Sequence, residues 1–129
     1  MKPDLKGLTK LARVLQRVPK KQFDIYSWLE TGPSCGTKGC IAGWAAITFP
    51  ARFKKVYYGK TLDGLNDMYE VEHRSSGDIG ELGFAKAFKI SVGDAESITL
   101  NNLRRKSTPK AAAKAVMALV GRLKKASKK

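Results

Sequence analysis

From Leu5 to Val18 the apolar residues Leu5, Leu8, Leu11, Ala12, Leu15 and Val18 recur at helical spacing. Lys6, Lys10, Arg13 and Arg17 fall on the opposite side of the same wheel. The pattern predicts an amphipathic helix stopped by Pro19. A second short helix is predicted from Lys20 to Glu30, presenting Phe23 and Trp28, before the turn-rich stretch TGPSCGTKG breaks the periodicity. Cys40 to Phe49 is apolar or small nearly all round, which predicts a buried central helix with Thr37 as candidate N-cap and Pro50 as its stop.

Further on, ARFKKVYYGK mixes bases with aromatics and reads as a short helix or a loop. Thr61 to His73 reads as a weak helix with its acids outward, and Ser75-Ser76-Gly77 interrupts it. Asp78 is the expected cap of a helix running through Lys89, and Ser91 with Asp94 starts another over Val92 to Leu100. Thr108 caps the last helix and Pro109 opens it. There Ala112, Val116, Leu119, Val120 and Leu123 form one face opposite Lys110, Lys114, Lys125 and Lys128. No run of four to eight residues shows a convincing alternation, so the expected class is all-α. The expectation is a compact bundle of about five to seven short helices around the buried central one. A single helical domain over residues 1–123 is expected, with a basic tail at 124–129.

Charge adds a direction to this picture. The 129 residues carry 25 Lys plus Arg against 11 Asp plus Glu, a net +14. Residues 1–21 hold seven bases and one acid, 22–60 five and two, 61–100 three and eight, and 101–129 ten and none. Two basic ends therefore flank an acidic middle. Such a field attracts nucleic acid, an anionic membrane or an acidic protein. The longest stretch without an ionisable charge, Gly39 to Ala51, is too short to span a bilayer, and no apolar signal-peptide core follows the first bases. The expectation is a soluble protein of the cytoplasm, in a bacterial host cell, or of a virion, with no membrane partner. Cys35 and Cys40 are too few for a disulfide framework.

The candidate chemistry is sparse. CGTKGC brackets a glycine-rich turn with two thiols at the start of a helix. It admits several readings: buried structural cysteines, a reversible disulfide, a metal site of the thiols, or a phosphate site made by Cys40, Lys38 and the turn amides at the helix start. It is not a phosphate-binding loop, because Gly-Lys is not followed by Ser or Thr at the required spacing. His73 is the only histidine and reads as a surface side chain. Asp63, Asp67 and Glu70 share a face on the helical reading, as a solvated acidic surface, a divalent-cation site or the acids of a hydrolase. Ser34, Ser75 and Ser76 lack the context of an activated nucleophile. The expectation is a non-catalytic protein without cofactor or metal.

Two stretches combine bases with features that nucleic-acid binding uses. In Arg52 to Lys60, Lys54, Lys55 and Lys60 would meet phosphates and Tyr57 or Tyr58 would stack on an unpaired base, unless Phe53, Val56 and one tyrosine are core. The second stretch, GELGFAKAFKISVGDAESITLNNLRRKSTPKAAAKAV, resembles the lambda-repressor-like helix-turn-helix family. Phe84 to Ser91 resembles the first motif helix and turn, Val92 to Leu100 the recognition helix, and Arg104-Arg105-Lys106 the basic lead into the next helix. Ala85, Ile90, Ala95 and Ile98 stand at packing positions of that motif. Lys89 occupies the place of the turn glycine, and Asp94 and Glu96 make the reading helix acidic where it would approach DNA. An ordinary helix-loop-helix with a basic flank fits the same residues.

A broader resemblance runs from about Phe23 to Val120. Phe23, Asp24, Ile25 and Trp28, then CGTKGCIAGWA, then a short helix pair and a Thr-Pro-initiated helix, look like a set of small uncharacterised proteins of bacteriophages and bacteria. The Cys35, Gly36, Thr37, Cys40, Gly43 and Ala45 core of that likeness implies a shared fold and brings no activity.

The function expected from these residues is a small basic protein, phage-related, holding the phosphate backbone of DNA or RNA with little sequence preference. The residues expected to do so are Lys6, Lys10, Arg13, Arg17, Lys54, Lys55, Lys60, Arg104, Arg105, Lys106, Lys110, Lys114 and Lys125. The alternative is a protein-interaction module acting on an acidic host protein or a virion component. A third reading is an enzyme centred on Cys35 and Cys40.

Overall fold

The computed structural model of the chain describes residues 2–23, 29–32, 36–99 and 108–127. The first helix, α1 (Leu5–Arg17), forms where the apolar stripe predicts it. Asp4 caps it by accepting the Gly7 N–H at 3.0 Å, and Val18 turns extended ahead of Pro19. Leu8, Leu11 and Leu15 are fully buried, each removing enough apolar surface to contribute about 1.5–3 kcal/mol before the opposing conformational entropy.

The next segment departs from expectation. Among the described residues, a single 3-10 turn, Lys20–Gln22, stands at the start of the segment predicted as a helix to Glu30. Leu29–Gly32 is strand β1, paired antiparallel with β2 (Gly36–Gly39). Phe23 is buried, while Trp28 lies outside the described residues. Thr37 sits within β2, so it does not cap the following helix; that place belongs to Cys40, without a side-chain bond. The buried helix itself, α2 (Ile41–Thr48), forms as predicted, and Ile41, Ala42, Ala45 and Ala46 are all buried. Among the described residues it packs against every strand and against three other helices. Its Trp44 is anchored by an Nε1–H bond to the Gln22 carbonyl at 3.1 Å.

The principal correction lies in the following two segments. Phe53–Lys60 is strand β3 and Asp67–His73 is strand β4, giving a four-stranded antiparallel sheet of order β2-β1-β4-β3. The protein is therefore mixed α/β rather than all-α. The hairpin turn is built from Thr61 to Asn66. Asp63 accepts the Leu65 N–H at 3.0 Å and the Thr61 hydroxyl, and Gly64 takes a left-handed φ of 72° that favours glycine. Phe53 pairs with His73, Lys55 with Val71 and Tyr57 with Tyr69, so these side chains share a sheet face. Phe53 and Val71 of this face are buried in the core, and Tyr69 packs against its edge.

Helix α3 (Gly80–Phe88) begins two residues after its expected cap. Asp78 does not cap it; its carboxylate forms an ion pair with Lys86 instead. Gly83 lets the backbone at Asp78 pass close to α3, since a Cβ there would lie 2.3 Å from the Asp78 carbonyl oxygen. Gly83→Ala is expected to lower stability by about 1–3 kcal/mol, read as a fall in the urea midpoint with the slope unchanged. Lys89 ends α3 at φ 58°, ψ 46°. It is the single non-glycine residue of positive φ among those described, and the left-handed region costs such a residue about 1–2 kcal/mol.

Helix α4 (Val92–Thr99) starts as predicted, with Ser91 Oγ accepting the Asp94 N–H at 3.0 Å. The last helix, α5 (Pro109–Ser127), is capped by Thr108, whose hydroxyl accepts the Ala111 N–H at 3.1 Å. It continues through Lys124 and Lys125, where a tail is expected. Ala112, Ala113, Val116 and Leu119 pack inward, and α1 and α5 form the most extensive helix pair of the fold.

Candidate functional site

Ten of the thirteen bases expected to meet phosphate lie on described residues, and all ten are exposed. Arg104, Arg105 and Lys106 lie outside the described residues. The structure sorts the ten into two groups.

Lys6, Lys10, Arg13 and Arg17 project from α1 opposite its leucines, and Lys110, Lys114 and Lys125 project from α5 opposite Ala112, Val116 and Leu119. None of these seven forms an ion pair among the described residues; Lys10 lies over the Phe49 ring at 5.3 Å. Because α1 packs along α5, the two basic ends of the sequence stand side by side. The cause is local: both helices bury an aliphatic stripe of similar width, and each must put its charges on the far side.

Lys54, Lys55 and Lys60 belong to β3, whose neighbour β4 carries Asp67, Glu70 and Glu72. Lys60 bonds Asp67 at 2.8 Å, and that carboxylate raises the lysine's pKa. Lys54 stands across from Glu72, and Lys55 lies over the Tyr69 ring at 5.0 Å. This strand therefore offers a much weaker positive field than the helices. Phe53 is core, yet neither Tyr57 nor Tyr58 is: both are about half exposed, at 53% and 52%. Tyr57 packs edge-on against Tyr69, and the Tyr58 hydroxyl lies 3.8 Å from the Met68 sulfur.

The acids read as one helical face are dispersed. Asp63 shapes the hairpin turn, and the Thr61 hydroxyl and Leu65 amide hold its pKa below the usual carboxylate range. Asp67 is tied to Lys60, and Glu70 faces Val56 across the sheet. Cys40 is buried at the head of α2, and Cys35 lies outside the described residues. Among the described residues no three His, Cys, Asp or Glu side chains are grouped to hold a metal, and no helix is long and apolar enough to cross a membrane.

The segment resembling a helix-turn-helix does form two helices about a short turn, α3 and α4, with Ala85, Ala95 and Ile98 buried between elements. Lys89 adopts the left-handed conformation that the turn glycine would supply. The start of α4 is occupied, however: Asp94 bonds Arg122 of α5 at 2.9 Å. A carboxylate held there blocks the end of the helix that would read bases.

A second basic feature escapes the sequence reading. Where the start of α1, the Arg52 turn, the end of β4 and the end of α3 meet, they enclose a cleft of about 610 Å³. Lys2, Arg52, Lys86, Lys89 and His73 line it with Asp4. The Arg52 guanidinium is fixed over Phe49 at 4.5 Å and Phe88 at 5.5 Å and bonds Asp4 at 2.5 Å. Burial pushes the Asp4 carboxyl up, but the Gly7 amide, Arg52 and the charge of Lys89 outweigh it and leave the pKa lowered. The His73 ring stands edge-on to Phe53 at 6.4 Å, with Nδ1 2.8 Å from the Ser76 hydroxyl, so it is half-buried rather than a free surface side chain. These bases come from four separate stretches of the chain, and the one local signal is Lys89 in the place of a turn glycine.

Comparison of the chain with known families, with curated proteins and with solved structures finds no match.

Proposed function

We propose that the protein binds the phosphate backbone of nucleic acid through the outward faces of α1 and α5, with little preference for sequence. The observation that carries this reading is the packing of α1 against α5. It joins the two segments of highest positive charge and leaves seven bases without carboxylate partners among the described residues. Each such base releases condensed counterions when it meets a phosphate, which supplies affinity regardless of the bases beyond. The Asp94–Arg122 bond, which occupies the start of α4, argues in addition against direct base reading.

Fluorescence anisotropy with labelled duplexes of unrelated sequence tests the proposal. If about six phosphates are neutralised, log K against log salt falls with a slope near −5, equal across sequences. Absence of binding at about 50 mM salt, or affinity indifferent to salt, rejects it.

A protein partner is the second reading, and the β3–β4 hairpin favours it. Leu62 is fully exposed and Leu65 59% exposed at its tip, next to Tyr57 and Tyr58. An apolar edge of this kind serves protein docking better than phosphate contact. Material that retains a stoichiometric protein in high salt, and carries no nucleic acid, would favour this reading over the first.

A further inference from the structure

Beyond the helical face, we propose that the cleft between the start of α1 and the end of α3 is a separate binding site for a phosphate monoester, with Lys2, Arg52 and Lys89 as its anion-holding groups. Four cations, Lys2, Arg52, Lys86 and Lys89, line the cleft, against Asp4 in its wall and Asp78 on Lys86. Four positive charges against two carboxylates leave an excess of two, the charge a phosphate monoester carries near neutral pH. A phosphodiester linkage carries one.

The geometry supports the same ligand. Lys2 and Lys89 form no ion pair among the described residues, so both ammonium groups remain available. Arg52 is held by two aromatic rings and by Asp4, and a guanidinium so oriented offers its remaining N–H groups without first losing side-chain freedom. A volume of about 610 Å³ is that of a small-molecule site and admits a nucleoside attached to the phosphate. The backbone points to the same place. The single left-handed non-glycine residue among those described is Lys89, in the wall of this cleft, where glycine would be less strained. Charge at the end of α3 complements the helix dipole, but Lys86 in the last turn already provides that.

The group bound is the terminal phosphate of either a free mononucleotide or a nucleic-acid strand, and the site is separate from the α1–α5 bases. Its failure would leave the backbone-binding proposal untouched. The test follows amide NMR shifts of the full chain during titration with inorganic phosphate, adenosine 5′-monophosphate, dimethyl phosphate, and an oligonucleotide with or without its 5′-phosphate. Saturable shifts around Asp4, His73 and Lys89 are expected with the monoesters, at affinity clearly above that for the diester. Tighter binding of the mononucleotide identifies a free small molecule as the source; tighter binding of the phosphorylated strand identifies a strand end.

Two variants of opposite sign secure the assignment. Lys89→Gly removes a cation and relieves the backbone, so phosphate affinity is expected to fall about fivefold while the melting temperature holds or rises. Asp4→Asn keeps a good helix cap and frees Arg52, so affinity is expected to rise by about the same factor. Phosphate binding that neither variant changes, or shifts that map away from the cleft, would overturn the proposal.

Discussion

Replacing Phe88 by alanine is expected to cost about 3–5 kcal/mol. Phe88 is fully buried and stands at a junction of three rings, 4.7 Å from Phe84, 5.6 Å from Phe49 and 6.1 Å from Phe53. Those rings come from α3, from the end of α2 and from the start of β3, so one cavity would loosen the helices and the sheet together. The Arg52 guanidinium would lose one of its two aromatic supports, and with it part of the fixed geometry of the Asp4 pair. Chemical denaturation followed by circular dichroism measures the loss. A cost below about 1 kcal/mol would mean that the rings do not pack as described.

Charge reversal on α5 is expected to have the largest effect on binding. Lys110, Lys114 and Lys125 are all exposed, so Lys→Glu at the three positions should leave the fold within about 0.5 kcal/mol per site. Each reversal takes one base away from the phosphates, together with the counterion that base would release. Without the three lysines the slope of log K against log salt shrinks by about 2.7, which at about 0.1 M salt lowers affinity by two to three orders of magnitude. The loss should be uniform across sequences. Loss confined to one sequence would mean that α5 reads bases.

How much of the fold is legible in the sequence depends on whether a segment's neighbours lie close along the chain. Helices α1, α4 and α5 follow local rules, a Ser, Thr or Asp cap and an apolar stripe, and α2 is marked by residues apolar or small nearly all round and by Pro50 after its end. The sheet does not. In β3 the order Phe-Lys-Lys-Val-Tyr-Tyr hides the alternation, because it is an edge strand with only Phe53 fully buried and an irregularity between Tyr57 and Gly59. In β4 the signal is present, since Tyr69, Val71 and His73 alternate with Glu70 and Glu72, and Asp63-Gly64 marks a hairpin turn. A helical reading of the acids overrides it. The prediction of a helix through Glu30 fails for a related reason: β1 is a strand because it pairs with β2 on one side and, on the other, with β4 nearly forty residues away.

The candidate site divides in the same way. Periodicity alone picks out the bases of α1 and α5, but their adjacency comes from tertiary packing. Which bases are paired with acids is not readable at all. Asp4 takes Arg52, Asp67 takes Lys60, Asp78 takes Lys86 and Asp94 takes Arg122, and two of these pairs join elements distant in sequence. The net +14 thus resolves into a helical face that keeps its charge and a sheet that largely offsets its own.

A salt series run in parallel on three proteins separates these two surfaces most directly: the unaltered chain, the α5 triple variant, and Lys54, Lys55 and Lys60 each changed to Gln. The expected result is a slope near −5 for the unaltered chain, close to −2 for the α5 variant, and almost no change for the β3 variant. A β3 variant that loses the salt dependence while the α5 variant retains it would contradict backbone binding by the α1–α5 face.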